Sequence, residues 1–376
     1  MEFVFWISLL AIAYPYAIYP AVLVLLNRLA GRRAHVGDPS ARPSVTLILP
    51  VHNEAKRIEA KMRNILELDY PADQIQVLVI GDACTDDSLA RARDSGGPRV
   101  ETFNVMPRGG KASALNAALE RARGEILVFT DAAIMLERES LVRLVAHFHD
   151  PAVGAVSGED YVEGGGSEGL YGRIELLLRR EEALAHSIAG ASGCFYAQRR
   201  ALTPPFISGM APDFLSVLNV VRAGSRALAE PRARGAMTAT KSQSAEFTRK
   251  ARTFLRGLTA LFGNAGLMNP FKYPTFAFIL ISHKLMRWLG PLFMLAALAA
   301  SFALPAEPLY LFALYAQVAA YSAATLGLLV PAVAERFGPI RLAAFFVLVN
   351  LAALQALLRW LSGERLEVWE PTRRPQ

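Results

Sequence analysis

Apolar positions divide the chain into a membrane-like beginning, a mixed middle and a membrane-like end. Residues 3–27 carry no charge and are long enough to cross a hydrocarbon core of about 30 Å. Glu2 stands where a signal peptide would carry a basic residue, and the arginines follow the apolar run instead. We therefore expect residues 1–30 to be a retained transmembrane anchor, followed by a cytoplasmic segment. The alternative is a cleaved signal peptide.

The last quarter of the chain contains three more uncharged runs, at residues 288–306, 309–334 and 342–358. Residues 268–287 mix aromatic and basic side chains, a pattern typical of an amphipathic helix on a membrane surface. We expect residues 288–361 to form transmembrane helices and residues 362–376 to form a tail. A buried helical domain of a soluble protein is the alternative.

The charges in the loops give a partly conflicting topology. Residues 305–308 have no basic side chain and suit the outside, whereas residues 335–341 contain two arginines and suit the inside. One span before the middle region and three after it would place the tail outside. The tail nevertheless contains Arg365, Arg373 and Arg374, which favour the inside. The sequence leaves this conflict open.

Between residues 40 and 267 the pattern predicts an α/β domain. Short β-branched runs recur along this region, and polar turns and helical stretches alternate with them. The runs are residues 45–49, 76–80, 125–130 and 153–156. Strands separated by helices predict a mostly parallel sheet. Ligands of such sheets bind beyond the carboxyl ends of the strands.

Polar clusters follow these predicted strands, and they contain Glu54, Asp82, Lys111 and Asp131. Taken singly, each acid would most often be a helix cap or a turn residue. Four clusters at successive strand ends instead suggest one crevice. Its carboxylates would suit a ribose, a base edge or a metal, and its ammonium would suit a phosphate.

Taken in order, these motifs resemble those of family 2 glycosyltransferases with a GT-A fold, the nucleotide-sugar enzymes that include cellulose, chitin and hyaluronan synthases. The resemblance covers about residues 43–257. Its motifs are P-x-x-N-E at residues 50–54, Asp82 with the acidic residues 86–87, and G-K-x-x-A-L-N at residues 110–116. The resemblance implies a Rossmann-like nucleotide-sugar domain flanked by transmembrane helices, as in the membrane-bound branch of the family.

The resemblance also implies that Glu54, Asp82, Lys111 and Asp131 bind the nucleotide-sugar donor. The family's fourth strand usually ends in Asp-x-Asp, whose last carboxylate ligates a divalent metal, but Ala133 occupies that position here. We expect Mg²⁺ or Mn²⁺ to be retained with Asp131 as its protein ligand, because Mg²⁺ often binds through one or two carboxylates, waters and substrate phosphates. A substitute ligand and loss of catalysis are the alternatives.

On the acceptor side, residues 190–197 resemble the family's glycine-rich strand, which implies that Gly193 and Cys194 line the acceptor site. Asp213 matches the family's catalytic base at the start of a helix. An inverting transfer needs one base to take the proton of the acceptor hydroxyl. A simple helix cap is the alternative for Asp213.

Arg249 and Arg252 lie on one predicted helical face, where processive relatives carry Q-x-x-R-W. The resemblance implies that they bind the diphosphate, and a basic face against anionic lipid is the alternative. The missing Trp argues against long-chain processive synthesis, although Trp369 is a candidate replacement.

Composition agrees with a membrane enzyme. Hydrophobic residues make up 53% of the chain and charged residues 19%, and the net charge is +7. This charge suits anionic lipid headgroups or a phosphate-rich ligand better than nucleic acid. Two cysteines, Cys84 and Cys194, cannot form a disulfide framework.

We therefore expect a multi-pass protein of the bacterial inner membrane with a cytoplasmic catalytic domain. The expected activity is inverting transfer of a sugar from a UDP-sugar to a glycan or lipid acceptor, in exopolysaccharide or cell-envelope glycan synthesis. A catalytically silent, nucleotide-binding component of a glycan assembly complex is the alternative. A transporter is disfavoured because the apolar runs contain no central pair of ionisable residues.

Overall fold

The computed structural model describes residues 1–162, 169–238, 243–304 and 307–366. Trp369, Arg373 and Arg374 lie outside the described residues. The predictions that concern their environment are therefore not addressed by the structure.

One sheet of eight strands forms the centre of the described part of the chain, with the strand order β3-β2-β1-β4-β7-β6-β8-β5. The strands are β1 (Val45–Val51), β2 (Ile75–Asp82), β3 (Val100–Val105), β4 (Ile126–Thr130), β5 (Ile134–Leu136), β6 (Val153–Val162), β7 (Phe195–Arg199) and β8 (Arg226–Met237).

Helices precede, alternate with and follow these strands. The helices up to the last strand are α1 (Glu2–Ala13), α2 (Tyr19–Leu29), α3 (Ile58–Leu66), α4 (Ser88–Gly96), α5 (Gly110–Leu119), α6 (Ser140–Val145), α7 (Gly169–Ala185) and α8 (Pro212–Arg222). Those after it are α9 (Gln243–Gly263), α10 (Pro274–Leu280), α11 (Met286–Ala303), α12 (Pro308–Leu329), α13 (Pro331–Arg336) and α14 (Gly338–Leu361).

The sheet is parallel in its first half and mixed in its second half. Strands β3, β2, β1 and β4 pair in parallel, which confirms the predicted βαβ arrangement and places their carboxyl ends at one edge. Strand β7 then pairs antiparallel with β4, with Phe195 opposite Thr130. This antiparallel pairing was not predicted. Its consequence is that the start of β7 lies beside the end of β4.

Alternating side chains of the strands build a core on each face of the sheet. In β1, Leu47 and Leu49 join the core that includes Met62 of α3, whereas Ile48 joins the core on the opposite face. That second core continues through α5, α8 and α9 to Leu348 of α14. The eight-stranded sheet and the C-terminal helices therefore share one continuous apolar core.

Within the described residues, four helices are long and apolar enough to cross a membrane: Glu2–Leu29, Pro274–Ala303, Pro308–Leu329 and Gly338–Leu361. The first joins α1 to α2 through a π-helical turn, and the second joins α10 to α11 in the same way. The boundary predicted between residues 287 and 288 therefore falls inside a continuous helix, because the π turn does not interrupt it.

A buried polar network fastens the first two of these helices to α7. The Glu182 carboxylate accepts a hydrogen bond from the Tyr19 hydroxyl at 2.9 Å and lies 2.6 Å from Nδ1 of His283. Glu175 lies 3.2 Å from Nε2 of the same His283 and accepts from Nη1 of Arg287 at 2.8 Å. Buried carboxylates are costly unless they are paired, so these contacts fix the helices relative to the sheet.

Candidate active site

The loops that follow β1 and β2 are joined by hydrogen bonds. Oδ1 of Asn53 accepts from the backbone N–H of Thr85 at 2.9 Å, and Oγ of Ser88 accepts from the backbone N–H of Glu54 at 2.7 Å. Asn53 adopts a left-handed conformation with φ of 54°, which Asn tolerates better than most residues. These contacts hold Glu54 at the carboxyl edge of the sheet.

Glu54 and Asp131 interact electrostatically across this edge. Burial raises the pKa of Glu54, the nearby Arg57 opposes that rise, and the charges of Asp131 and Asp86 add to it. Carboxylates from the first and fourth strand ends are therefore near enough to influence each other. A concentration of negative charge here suits a cation or the donor groups of a nucleoside.

Asp82 is completely buried and connects the end of β2 to the start of α5. Its Oδ1 accepts hydrogen bonds from the backbone N–H groups of Gly109 and Gly110 at 2.9 and 3.0 Å. Its Oδ2 has no hydrogen-bond partner among the described residues and lies 3.9 Å from Nε of Arg108. Asp82 thus orients the turn before Lys111, and its predicted contact with the nucleoside stays a prediction.

Lys111 joins the end of β4 to the Gly193 turn. Its Nζ donates to Oδ1 of Asp131 at 2.6 Å and to the carbonyl oxygen of Gly193 at 3.2 Å. The backbone N–H of Asp131 donates in turn to the carbonyl of Cys194 at 3.2 Å. Burial acts to lower the pKa of Lys111, but the charge and hydrogen bond of Asp131 outweigh it and the pKa is raised. Lys111 is therefore a permanent cation between these two segments.

Lys61 supports the Asp131 loop from below and was not predicted from the sequence. It is completely buried, and its Nζ donates to Oγ1 of Thr130 at 3.1 Å and to the carbonyl of Ile134 at 2.6 Å. Burial lowers its pKa to about 7, although Asp131 acts in the opposite direction. The available signal was its position on the apolar face of α3, three residues after Ile58.

Asp213 lies in the first turn of α8 and faces Gly193. A Cβ atom placed on Gly193 would lie 3.9 Å from the carboxyl carbon of Asp213. Ala211, and not Asp213, occupies the N-cap position of α8. Asp213 is therefore not the N-cap residue of this helix. Burial raises the pKa of Asp213, whereas the positive charges of Lys111, Arg256 and Lys284 lower it.

Two of these cations, Arg256 and Lys284, belong to α9 and to the π-helical turn before α11. They were not predicted as site residues. Nζ of Lys284 lies 5.8 Å from the ring centroid of Phe214 and 3.2 Å from the position of a Cβ on Gly190. Arg256 of α9 donates from Nη2 to the carbonyl of Met210 at 2.8 Å. Arg256 shares a helical face with the predicted arginines, while Lys284 belongs to the segment predicted only as amphipathic.

The structure places Arg249 and Arg252 on α9, close to Arg256. Glu246 of the same helix binds Arg249 through both carboxylate oxygens, at 2.8 Å to Nε and 2.6 Å to Nη2. Burial is the main reason that the pKa of the Arg256 guanidinium is lowered, and the charge of Arg252 lowers it further. Diphosphate binding by Arg249 and Arg252 stays a prediction.

Comparison with known proteins identifies the domain. Residues 46–203 match the profile described as Glycosyl transferase family 2. These residues, less than half of the chain, are similar to a family 2 glycosyltransferase domain. The matched range contains Glu54, Asp82, Lys111, Asp131 and the Gly193 turn. Asp213, Lys284 and the arginines of α9 lie outside it.

Individual relatives agree with this family. The chain is 31% identical over 169 residues to an N-acetylglucosaminyltransferase of Mesorhizobium japonicum, which covers 42% of this chain and 39% of that protein. It is 29% identical over 157 residues to glycosyltransferase AglD of Haloferax volcanii, covering 38% of this chain and 25% of that protein. The chain thus spans well under half the length of these curated relatives.

A solved structure extends the likeness to the flanking helices. Mannosyltransferase PcManGT from Pyrobaculum calidifontis, in complex with GDP-Man and Mn²⁺, is similar with a TM-score of 0.73 and 26% identity. The similarity covers 95% of this chain and 99% of that chain. The predicted GT-A glycosyltransferase fold with flanking apolar helices is therefore confirmed.

The side chains at the carboxyl edge of the sheet offer few ligands to a metal ion. Oδ1 of Asp131 is bound by Lys111, and Ala133 supplies no ligand. No group of three or more His, Cys, Asp or Glu side chains is arranged around a metal position in the part of the chain that the structure describes. The arrangement fits a cation that takes one protein carboxylate and completes its shell with water and diphosphate oxygens.

The role of Asp82 as an anchor of the Gly109–Gly110 turn predicts a loss of stability on truncation. We expect Asp82→Ala to lower the free energy of unfolding by about 1 to 2 kcal/mol, because two backbone N–H groups lose their acceptor. Thermal unfolding of the purified protein in detergent measures the effect. Asp87→Ala, which removes an exposed Asp from the N-cap position of α4 where no side-chain cap bond exists, is the control. Equal melting temperatures for the two variants would contradict the assignment.

Proposed function

We propose that the protein is a membrane-bound inverting glycosyltransferase that moves a sugar from a nucleoside-diphosphate donor to a hydroxyl of a glycan or lipid acceptor. The observation that carries the proposal is the position of Lys111, which contacts Asp131 at 2.6 Å and the Gly193 carbonyl at 3.2 Å. Gly193 in turn faces Asp213. A donor-type carboxylate and a candidate base therefore lie on either side of one short turn.

The donor would bind along the edge formed by the ends of β1, β2 and β4. Glu54 and the loop anchored by Asp82 are placed to receive the nucleoside, because carboxylates accept hydrogen bonds from ribose hydroxyls and base N–H groups. Lys111 offsets part of the diphosphate charge. Asp131 would hold a divalent cation, which supplies further charge neutralisation to the departing diphosphate when it is bound.

Asp213 would act as the base on the acceptor side. The acceptor oxygen attacks the anomeric carbon from the face opposite the diphosphate, the bond from that carbon to the diphosphate oxygen breaks, and the hydroxyl proton passes to Asp213. Burial raises the pKa of the Asp213 carboxyl and so makes the carboxylate a stronger base, and the charges of Lys111, Arg256 and Lys284 limit that rise. The nucleoside diphosphate leaves with the electron pair, and the configuration at the anomeric carbon inverts.

The identity of the donor nucleoside has to be determined by testing a panel of nucleotide sugars. The carboxylates at the strand ends suggested a UDP-sugar, while the similar solved mannosyltransferase is in complex with GDP-Man. UDP-glucose, UDP-N-acetylglucosamine and GDP-mannose are therefore the first donors to test. We place the domain in the cytoplasm of a bacterial cell, on a multi-pass anchor in the inner membrane.

Ala133 favours a second candidate function, a nucleotide-binding component without transferase activity. The position that usually provides a metal ligand in the family carries only a methyl group. Binding of a nucleotide sugar without release of nucleoside diphosphate, across all donors and with both Mg²⁺ and Mn²⁺, would support this candidate over the enzyme.

Replacement of the base should abolish transfer while leaving donor binding intact. We expect Asp213→Asn to lower kcat by about 10²- to 10⁴-fold, since the amide cannot accept the hydroxyl proton. Release of nucleoside diphosphate measures the rate, and calorimetric titration with the donor measures binding. Asp94→Asn, an exposed change on α4, is the matched control. A normal rate in Asp213→Asn would remove this residue from its role.

Lys284 should set the acid limb of the pH profile through its effect on Asp213. Its charge lowers the pKa of Asp213, so Lys284→Gln should raise that pKa and protonate the base at a higher pH. As the pH falls, activity in Lys284→Gln should therefore be lost earlier than in the wild type. Lys284→Arg retains the charge and should retain the limb. An unchanged or downward-shifted limb in Lys284→Gln, measured as kcat/KM against pH, would contradict the coupling.

Metal dependence should reflect the single carboxylate at the end of β4. We expect EDTA to stop release of nucleoside diphosphate and added Mn²⁺ or Mg²⁺ to restore it. Ala133→Asp should lower the metal concentration required for half-maximal activity, because a second carboxylate strengthens binding. Titration of Mn²⁺ into the protein with nucleoside diphosphate provides a readout independent of turnover. Full activity in EDTA would overturn the assignment of Asp131.

A further inference from the structure

Helix α14, the last of the four apolar helices, packs against α9 as well as against the other apolar helices. The ring of Phe345 lies 5.9 Å from Nζ of Lys250, and the ring of Trp360 stacks on that of Phe262 with centroids 4.6 Å apart. Between these contacts each helix advances by about 18 to 22 Å at 1.5 Å per residue. The two helices therefore run side by side, in the same direction, over most of their length.

Helix α9 cannot be a membrane-crossing element. It carries Glu246, Arg249, Lys250, Arg252 and Arg256 within three turns, and it is not among the described helices that are apolar enough to cross a membrane. Its apolar face belongs instead to the core beneath the sheet. Because α14 follows α9 so closely, α14 lies at the level of the catalytic domain along its whole length.

Contacts of α14 with the other apolar helices fall at their domain-proximal parts. Oδ1 of Asn350 lies 3.0 Å from the position of a Cβ on Gly290, near the start of α11. The ring of Phe346 lies 5.6 Å from that of Tyr16, in the π-helical turn just before Tyr19, the residue that binds Glu182 of α7. The far ends of the apolar helices meet elsewhere, where the Phe5 ring packs on Tyr310.

The chain leaves α14 against the acceptor side of the domain. Cβ of Arg365 and the carbonyl oxygen of Leu366 both lie 3.8 Å from the position of a Cβ on Gly209, which stands just before α8 and Asp213. A helix that crossed the membrane from the catalytic side would deliver these residues to the opposite side. Both ends of α14 are therefore on one side.

The face of α14 that the protein leaves uncovered is apolar. Leu351, Leu358 and Leu361 are 47%, 58% and 65% exposed, and their spacing of seven and three residues places them on one side of the helix. Arg341 and Gln355 are exposed as well. An apolar stripe with polar flanks, opposite a face packed on a soluble domain, is the arrangement of a helix at a membrane interface.

We propose that α14 lies in the plane of the membrane on the catalytic side, with its leucine face in the boundary between headgroups and acyl chains. Within the described residues, the chain then crosses three times, through Glu2–Leu29, Pro274–Ala303 and Pro308–Leu329. This arrangement removes the conflict in the loop charges. The described segment after α14, which contains Arg365, then falls on the cytoplasmic side, as its basic charge favours.

Cysteine labelling in cells tests the side on which α14 ends. Because the chain has two cysteines, Cys84→Ser with Cys194→Ser provides the background. Single cysteines are then introduced at the exposed Ser362, at Glu307 between α11 and α12, and at Asp94 in the catalytic domain. A membrane-impermeant maleimide should label Glu307→Cys in intact spheroplasts and leave Ser362→Cys and Asp94→Cys unlabelled until the membrane is opened. Labelling of Ser362→Cys together with Glu307→Cys in intact spheroplasts would overturn the proposal.

Depth measurement separates an in-plane helix from one that dips into the bilayer. Spin labels at Leu351, Leu358 and Leu361, in vesicles of phosphatidylethanolamine and phosphatidylglycerol, should all report a similar shallow depth of about 5 to 10 Å. A helix along the membrane normal would instead separate the first and last labels by about 15 Å. A label at Val318 in the middle of α12 is the deep reference. Depths that rise steadily from one label to the next would contradict the proposal.

Discussion

The ion pair between Lys111 and Asp131, extended by the bond from Lys111 to the Gly193 carbonyl, is the contact on which the site depends. It joins a helix that follows β3, the end of β4 and the start of β7. These segments meet because β7 runs antiparallel to β4 and so begins where β4 ends. In an entirely parallel sheet the Gly193 turn would lie at the opposite edge, and no residue of the acceptor motif would approach Asp131.

Burial of charge makes this contact demanding for the fold. Lys61 and Lys111 both lie beneath the edge, and each is satisfied by named acceptors from the Asp131 loop or the Gly193 turn. A buried cation without such acceptors would be strongly destabilising. The same cost explains why the loop geometry is well defined, since few backbone conformations supply the carbonyl of Ile134 and the hydroxyl of Thr130 together.

Sequence patterns predicted the parallel half of the fold and the residues directly after its strands, because strand direction fixes where Glu54, Asp82 and Asp131 must lie. They could not place Lys284, since its approach to Asp213 depends on how a distant helix packs on Phe214. Helix α14 shows the same limit in another form. An apolar run of this length fits a span or an interfacial helix equally well, and the proposed choice between them rests on tertiary contacts such as that of Trp360 with Phe262.

Glu182 receives Tyr19 and His283, which belong to helices on either side of the sheet domain in the sequence. These two contacts restrain the domain relative to both helices. Under the proposed function, such a domain would keep the transfer site at a constant height above the lipid, and that height would determine which acceptors reach it. Acceptors whose reactive hydroxyl projects by that distance would be selected, while shorter or longer ones would miss the anomeric carbon even if their sugars were identical.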